Sequence, residues 1–308
     1  MKVTSQPMDN SIFKLQNQEF LLKLQLTQRN QYSKAKKIDL CKLALTLGFT
    51  LLSGIASFLE HQTLSSICGL LSILLLILNK SLDARISSLK KNAASLQQYI
   101  DVELFSSVMG GNKLEWGELP NRTDLVTAIS QVNIFDLSSV KDWYSNYTSL
   151  SGESQVFHCQ RENVRWDYQL HKSYKTLVLC VFTVLAITMF AVIVCKDLTS
   201  TKFIFVISCL APLSDYAYTA HKQILESISL LQTIEASCNQ IESKLLNNST
   251  TSIKKELIDL QYSILKRRAT CFLIPDWFYK FKKEQYQKQE DCIAESIVDL
   301  HKESNSQH

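Results

Sequence analysis

Apolar residues gather in four stretches almost free of charge, Leu43–Leu59, Gln62–Asn79, Thr176–Cys195 and Phe203–Ala220, and only the last holds an acidic residue, Asp215. A helix rises 1.5 Å per residue, so about 20 apolar residues cover the roughly 30 Å of hydrocarbon in a bilayer. The pattern predicts four transmembrane helices in two hairpins, 43–79 and 176–220.

The polar stretches also follow a helical period. Leu82, Ile86, Leu89, Ala93, Leu96, Ile100 and Leu104 fall three or four apart, which predicts one helix continuing out of the second span until Gly110-Gly111. Leu125, Ile129 and Val132 mark a second helix starting near Thr123-Asp124, and Trp166, Leu170 and Tyr174 lead a third into the third span. Ile224, Ile228, Leu231, Ile234, Cys238, Ile241 and Leu245 extend the fourth span toward Asn247-Asn248. Ile253 opens a further helix, Pro275 punctuates the chain, and a last basic helix is expected from about Lys282. Phe13, Phe20, Leu24 and Leu26 interleave with Lys14, Lys23 and Arg29, as in a helix lying on the membrane surface or packed onto the rest of the aqueous part.

No segment alternates like a strand. The expected fold is therefore an all-α membrane protein: four transmembrane helices in two hairpins with a helical cytoplasmic bundle or stalk. Its regions are an amphipathic N-terminal helix (1–42), hairpin 1 (43–79), a cytoplasmic helical region (80–175), hairpin 2 (176–220) and a C-terminal helical region (221–308).

Mean hydropathy over the 308 residues is −0.02, because the apolar pairs are averaged with long charged segments. Basic residues flank the spans on one side: Lys34, Lys36, Lys37 and Lys42 before the first, Lys80 and Arg85 after the second, Lys172 and Lys175 before the third, and Lys222 after the fourth. Positive flanks stay cytoplasmic, so both termini and the middle region are expected on the cytoplasmic side. The net charge of +4 is accounted for by these flanks and gives no reason to expect long nucleic acid. The nine cysteines lie in or beside spans or in reducing cytoplasm, and Cys41, Cys68, Cys180, Cys195 and Cys209 read as small apolar packing residues. His158-Cys159 with His171 lacks metal-ligand spacing.

Thr46, Thr50, Ser53 and Ser57 form one stripe along the first span, Ser65, Gly69 and Ser72 another along the second, and Ser208, Pro212, Asp215 and Thr219 share a face of the fourth. Such stripes either line an aqueous path assembled from several copies or let helices pack closely. A carboxylate within a span marks a pathway or a partner, and Pro212 beside it removes a backbone donor, so this face is a candidate gate. Two aromatic-basic clusters stand outside the spans: Arg161, Arg165 and Trp166, and Arg267, Arg268 and Trp277. Arginines beside aromatic faces suit phosphates and bases, and they equally suit interfacial anchoring. Enzyme chemistry finds no support, since the chain has no Gly-rich phosphate loop, no GxSxG and no HExxH, and no cofactor is implied.

Gln28-Arg29 with Tyr32 and Ala35-Lys36, then Cys159-Gln160-Arg161-Glu162-Asn163 with Trp166-Asp167, then Ile274-Pro275-Asp276-Trp277-Phe278-Tyr279 occur in this order around the two hairpins. In this the chain resembles the SMODS-associated four-transmembrane effectors of bacterial anti-phage systems. The resemblance implies a pore-forming effector encoded with a cyclic-oligonucleotide synthase in a CBASS system, which damages the inner membrane and arrests the infected cell. Joined to the clusters, it predicts a cyclic oligonucleotide as activating ligand and a homo-oligomer in the bilayer. A membrane-anchored scaffold, or a small transporter coupled through Asp215, are the alternatives.

Overall fold

A computed structural model describes residues 11–59, 61–132, 137–195, 200–246 and 252–306. A short turn of helix, α1 (Ile12–Leu15), precedes two long helices, α2 (Glu19–Phe58) and α3 (Gln62–Met109), which pack against each other as a hairpin. After the short α4 (Arg122–Ser130), α5 (Gly152–Cys195) and α6 (Ser200–Leu246) make a second hairpin. Then α7 (Lys254–Thr270) wedges against α3, α5 and α6, and α8 (Asp276–Ser306) lies along α5. Among the described residues there is no strand.

The four long helices have 40, 48, 44 and 47 residues. At 1.5 Å each they measure roughly 60–70 Å, about twice the thickness of bilayer hydrocarbon. Burial follows the helical period along the expected aqueous stretches. Ile224, Ile228, Leu231, Ile234, Cys238 and Ile241 are all buried, and α3 ends at Gly110, whose φ of +67° suits a residue without Cβ. Close packing fixes Gly152 too, since a Cβ there would sit 2.5 Å from the Val108 carbonyl.

The core is one cluster at the aqueous end, built on Leu24, Leu104, Phe105, Leu125, Phe157, Leu231 and Leu257. Burial of Leu21, Leu22, Leu24 and Thr27 decides the place of the N-terminal amphipathic segment, which packs into the bundle. A smaller cluster of Leu170, Ile274, Phe278 and Tyr286 seats the start of α8 on α5.

Some expectations need correction. The last helix begins at Asp276, directly after Pro275, rather than near Lys282, because the Pro275 carbonyl accepts from the Phe278 and Tyr279 amides at 3.1 and 3.2 Å. Lysines crowd only its first half; Glu290, Asp291, Glu295 and Asp299 follow. Residues 137–151 are irregular apart from a 3₁₀ turn at Ser138–Val140, because a segment packed on several helices at once carries no single apolar period. Cys41 and Cys180 are exposed, whereas Cys68 is buried; the side chains of Cys195 and Cys209 lie outside the described set.

Large apolar side chains lie exposed along the predicted spans, among them Leu52, Ile67, Leu74, Val184, Ile187 and Phe190. Among the described residues no helix is long and apolar enough to cross a membrane, and many side chains of the third and fourth predicted spans lie outside the described set. Thr46 returns its hydroxyl to the Lys42 carbonyl at 2.9 Å, Thr219 is exposed, and α6 runs unbroken through Pro212. The side chains of Thr50, Ser53, Ser57, Ser65, Ser72, Ser208, Pro212 and Asp215, and residue Gly69, lie outside the described set.

Polar residues also enter the interior. Asp101 of α3 accepts from Tyr144 Oη (2.7 Å), Gln261 Nε2 (2.9 Å) and Arg268 Nη1 (2.5 Å), and is itself 1% exposed. Gln261 also donates to Gln98 and accepts from Gln160, which ties α3, α5 and α7 through one buried network. Removing one member of a buried ion pair strands the other. Asp101→Ala should therefore cost about 3–5 kcal/mol in unfolding monitored by helical circular dichroism; a loss below about 1 kcal/mol contradicts this role.

Candidate functional site

The irregular 139–146 segment does not close onto the bundle. It leaves a cavity of about 930 Å³ between α2, α5, the end of α7 and α8, at the upper end of the ~300–1,000 Å³ typical of small-molecule sites. The cavity borders the core on one side: Arg268, 4% exposed, reaches it after pairing with Asp101, and its second terminal nitrogen is buried without a hydrogen-bond partner. Burial opposes the Arg268 charge, and the Asp101 carboxylate outweighs it, so its pKa is raised.

Beside it, Arg267 pairs with Asp167 and donates toward the His171 ring at 3.2–3.3 Å. Burial pushes His171 down to about 4, so the imidazole is neutral at pH 7, and its Nδ1 is 2.8 Å from the Asp167 carbonyl. With Nδ1–H donating there, Nε2 accepts from Arg267.

From α2 come Gln28, Arg29, Tyr32 and Lys36. Tyr32 donates to the Arg268 carbonyl at 3.2 Å. Lys36 and Ser33 donate to the two oxygens of Asp276 at 2.6 and 2.7 Å, clamping the first turn of α8 to α2. These bonds hold the Asp276 carboxyl below its ordinary value although burial works against them. From α8, Tyr279 faces Trp166 of α5 with ring centroids 6.2 Å apart, and Tyr286 meets the same indole edge-on at 5.9 Å. Arg29, Lys36, Lys283 and Asp276 lie close enough for their charges to act on one another where α8 begins.

The structure thus brings Trp166, Arg267 and Arg268 to one cavity and leaves Arg161, Arg165 and Trp277 off its lining. Arg161 pairs with Glu242 of α6, Arg165 makes a two-pronged pair with Glu290 of α8, and Trp277 is 60% exposed. Sequence reasoning passed over Arg29, Tyr32, Lys36, Tyr279 and Lys283 as site residues. Four of these sit within the segments that carry the family resemblance; Lys283 stands in a lysine run with no distinguishing signal.

All three resembling segments meet here: Gln28, Arg29, Tyr32 and Lys36, then Glu162, Asn163, Trp166 and Asp167, then Ile274, Asp276 and Tyr279. A family profile described as the SMODS-associating 4TM effector domain matches residues 10–297, nearly the whole chain. The chain belongs to that family. Family membership points to a CBASS-type membrane effector. No curated protein and no solved structure shows a significant match.

In this SMODS-associating 4TM effector, metal chemistry has no visible seat: among the described residues no three His, Cys, Asp or Glu side chains are grouped to hold an ion. His158 stacks on Tyr147 at 5.4 Å, and burial pushes it down to about 4.

Glu162, on the cavity wall, accepts from the Ser145 amide and hydroxyl at 3.2–3.3 Å. Burial lifts its carboxyl to about 7, and the neighbouring Glu290 adds to the rise. Arg165 of α5, Tyr147 and Cys159 are the other titratable groups facing it. Between the ordinary value of 4.5 and about 7, the folded chain holds a proton that the unfolded chain releases. Its contribution to stability is therefore greatest below about 4.5 and declines as pH rises to about 7. Glu162→Gln should flatten the melting temperature between those limits relative to wild type, and an unchanged pH profile contradicts the assignment.

Proposed function

We propose that this effector permeabilises the bacterial inner membrane when a cyclic oligonucleotide occupies the cavity, arresting or killing the infected cell. The observation that carries the reading is the convergence of the three family-resembling segments on one cavity whose α2 and α5 walls continue unbroken toward apolar stretches. From Lys36 to Leu43 is seven residues, about 10 Å of helix, and from His171 to Thr176 about 8 Å. A ligand that tightens the cavity therefore acts on the segments entering the membrane.

In this reading residues 43–59, 62–79, 176–195 and 203–220 cross the bilayer, with both termini and residues 80–175 cytoplasmic. The exposed Leu52, Ile67, Leu74, Ile187 and Phe190 supply apolar surface for lipid. Four helices from one chain leave little room for a pore, so several copies assemble, and the stripes Thr46, Thr50, Ser53, Ser57 and Ser208, Pro212, Asp215, Thr219 line or gate it. Trp166, Arg267 and Arg268 face the ligand. Arg161 and Arg165 hold α5 to α6 and α8 through their carboxylate partners. Moving such an assembly from 1:99 to 99:1 in favour of the open state requires the ligand to bind that state about 10⁴-fold more tightly.

The test is dye release from proteoliposomes titrated with cyclic di- and trinucleotides. Ligand-dependent release is expected, and intact vesicles at saturating ligand contradict the proposal. Asp215→Asn should change single-channel conductance or toxicity while leaving ligand binding intact; wild-type behaviour in both removes Asp215 from the path.

A further inference from the structure

The charges in the cavity are not equally satisfied. Arg161, Arg165, Arg267 and Arg268 each meet a carboxylate, respectively Glu242, Glu290, Asp167 and Asp101. Arg29 and Lys283 line the cavity and have no carboxylate ion pair among the described residues. The Arg29 guanidinium, with five N–H donors, spends one on the Ser139 carbonyl at a long 3.4 Å. Asp276, on which the Arg29 charge acts, is already held by Lys36 and Ser33. Counting Arg29, Lys36 and Lys283 against Asp276, this end of the cavity carries two uncompensated positive charges.

The two cations also repel one another. Lys283 is pushed below its ordinary value, first by burial and then by the Arg29 charge. Buried charges are ordinarily paired, and two like charges facing one hollow from different helices fit an anion that is to arrive there. Chemistry narrows that anion. Arg29 offers a planar fork suited to two oxygens of one phosphate, and Lys283 offers a point charge to the same group. One turn from Lys283 on α8, Tyr279 stands with Trp166 as an aromatic wall onto which a base attached to that phosphate stacks.

We infer that Arg29 and Lys283 form a phosphodiester subsite that bridges α2 to α8. The inference rests on the reading that a cyclic oligonucleotide is the activating ligand, and it assigns the contact by which the ligand reaches the membrane. A phosphate between these residues removes their repulsion and draws α8 onto α2, which enters the first apolar stretch without interruption. The contact forms only when ligand is present, which is the differential interaction a population shift requires.

The experiment uses the full-length protein in nanodiscs with two kinds of probe: all-adenine, all-guanine and mixed cyclic di- and trinucleotides followed by calorimetry, and inorganic pyrophosphate followed by its protection of Lys283 against amine labelling, read by mass spectrometry. Arg29→Gln and Lys283→Gln should each weaken the best cyclic probe roughly tenfold or more. Arg29→Lys should recover much of the loss, and Lys288→Gln, exposed on the same helix, should leave binding unchanged. Melting temperatures check that each variant folds, and Arg29→Lys keeps the charge should Arg29→Gln fail to do so. If a cyclic probe binds wild type and both glutamine variants alike, the subsite is overturned and the nucleotide reading stands. If no cyclic probe binds but pyrophosphate protects Lys283 in wild type and not in Arg29→Gln, the anion subsite stands and the nucleotide reading falls. If neither probe binds, both fall.

Discussion

One buried carboxylate organises the packed core of this protein. Asp101 sits in the interior of α3 and receives donors from α7 and from the irregular segment through Arg268, Gln261 and Tyr144. A carboxylate at 1% exposure is tolerable only because its acceptor sites are filled by fixed donors. The same bond decides which face Arg268 turns to the cavity, and Tyr32 then ties α2 to the Arg268 carbonyl. Core and cavity wall are thus one polar network read from two sides. The 139–146 segment keeps the hollow open because Tyr144 is held inward by Asp101 and by Gln16, which grips its backbone amide at 2.7 Å.

This arrangement separates two jobs among the basic residues. Arginines with carboxylate partners position helices: Arg165 fastens α8 to α5, and Arg161 fastens α5 to α6. Arg29 and Lys283, which have no carboxylate ion pair among the described residues, are the cations proposed to meet a ligand. The two classes look alike along the chain, because what distinguishes them is a partner 81 to 167 positions away. Arg165 meets Glu290, and Arg268 meets Asp101. Charge is legible in a sequence, whereas neutralisation is tertiary.

The helices were legible for a local reason. Ile224, Ile228, Leu231, Ile234, Cys238 and Ile241 form one face of α6, so apolar residues return every three or four positions, and these are buried. From Ala93 onward α3 is covered on several sides, and Gln97, Gln98 and Asp101 are buried with the apolar stripe, which no amphipathic pattern announces. The start of α8 was placed too late because its lysine run is more conspicuous than Pro275, although a proline's fixed φ and missing N–H suit the beginning of a helix. Trp166, Arg267 and Arg268, which line the cavity, stand out along the chain because aromatic and guanidinium groups advertise their chemistry. Arg29 and Lys283 were not singled out, because their meaning depends on α2 and α8 lying side by side.

The central claim is that a ligand held among cytoplasmic helices opens a path across the membrane. Membrane potential, followed with a voltage-sensitive dye in cells expressing this chain with and without a cyclic-oligonucleotide synthase, tests it most directly. Rapid depolarisation only when effector and active synthase are present together is the predicted result. A potential maintained through the onset of nucleotide synthesis, in cells where the effector is demonstrably in the membrane, would contradict it.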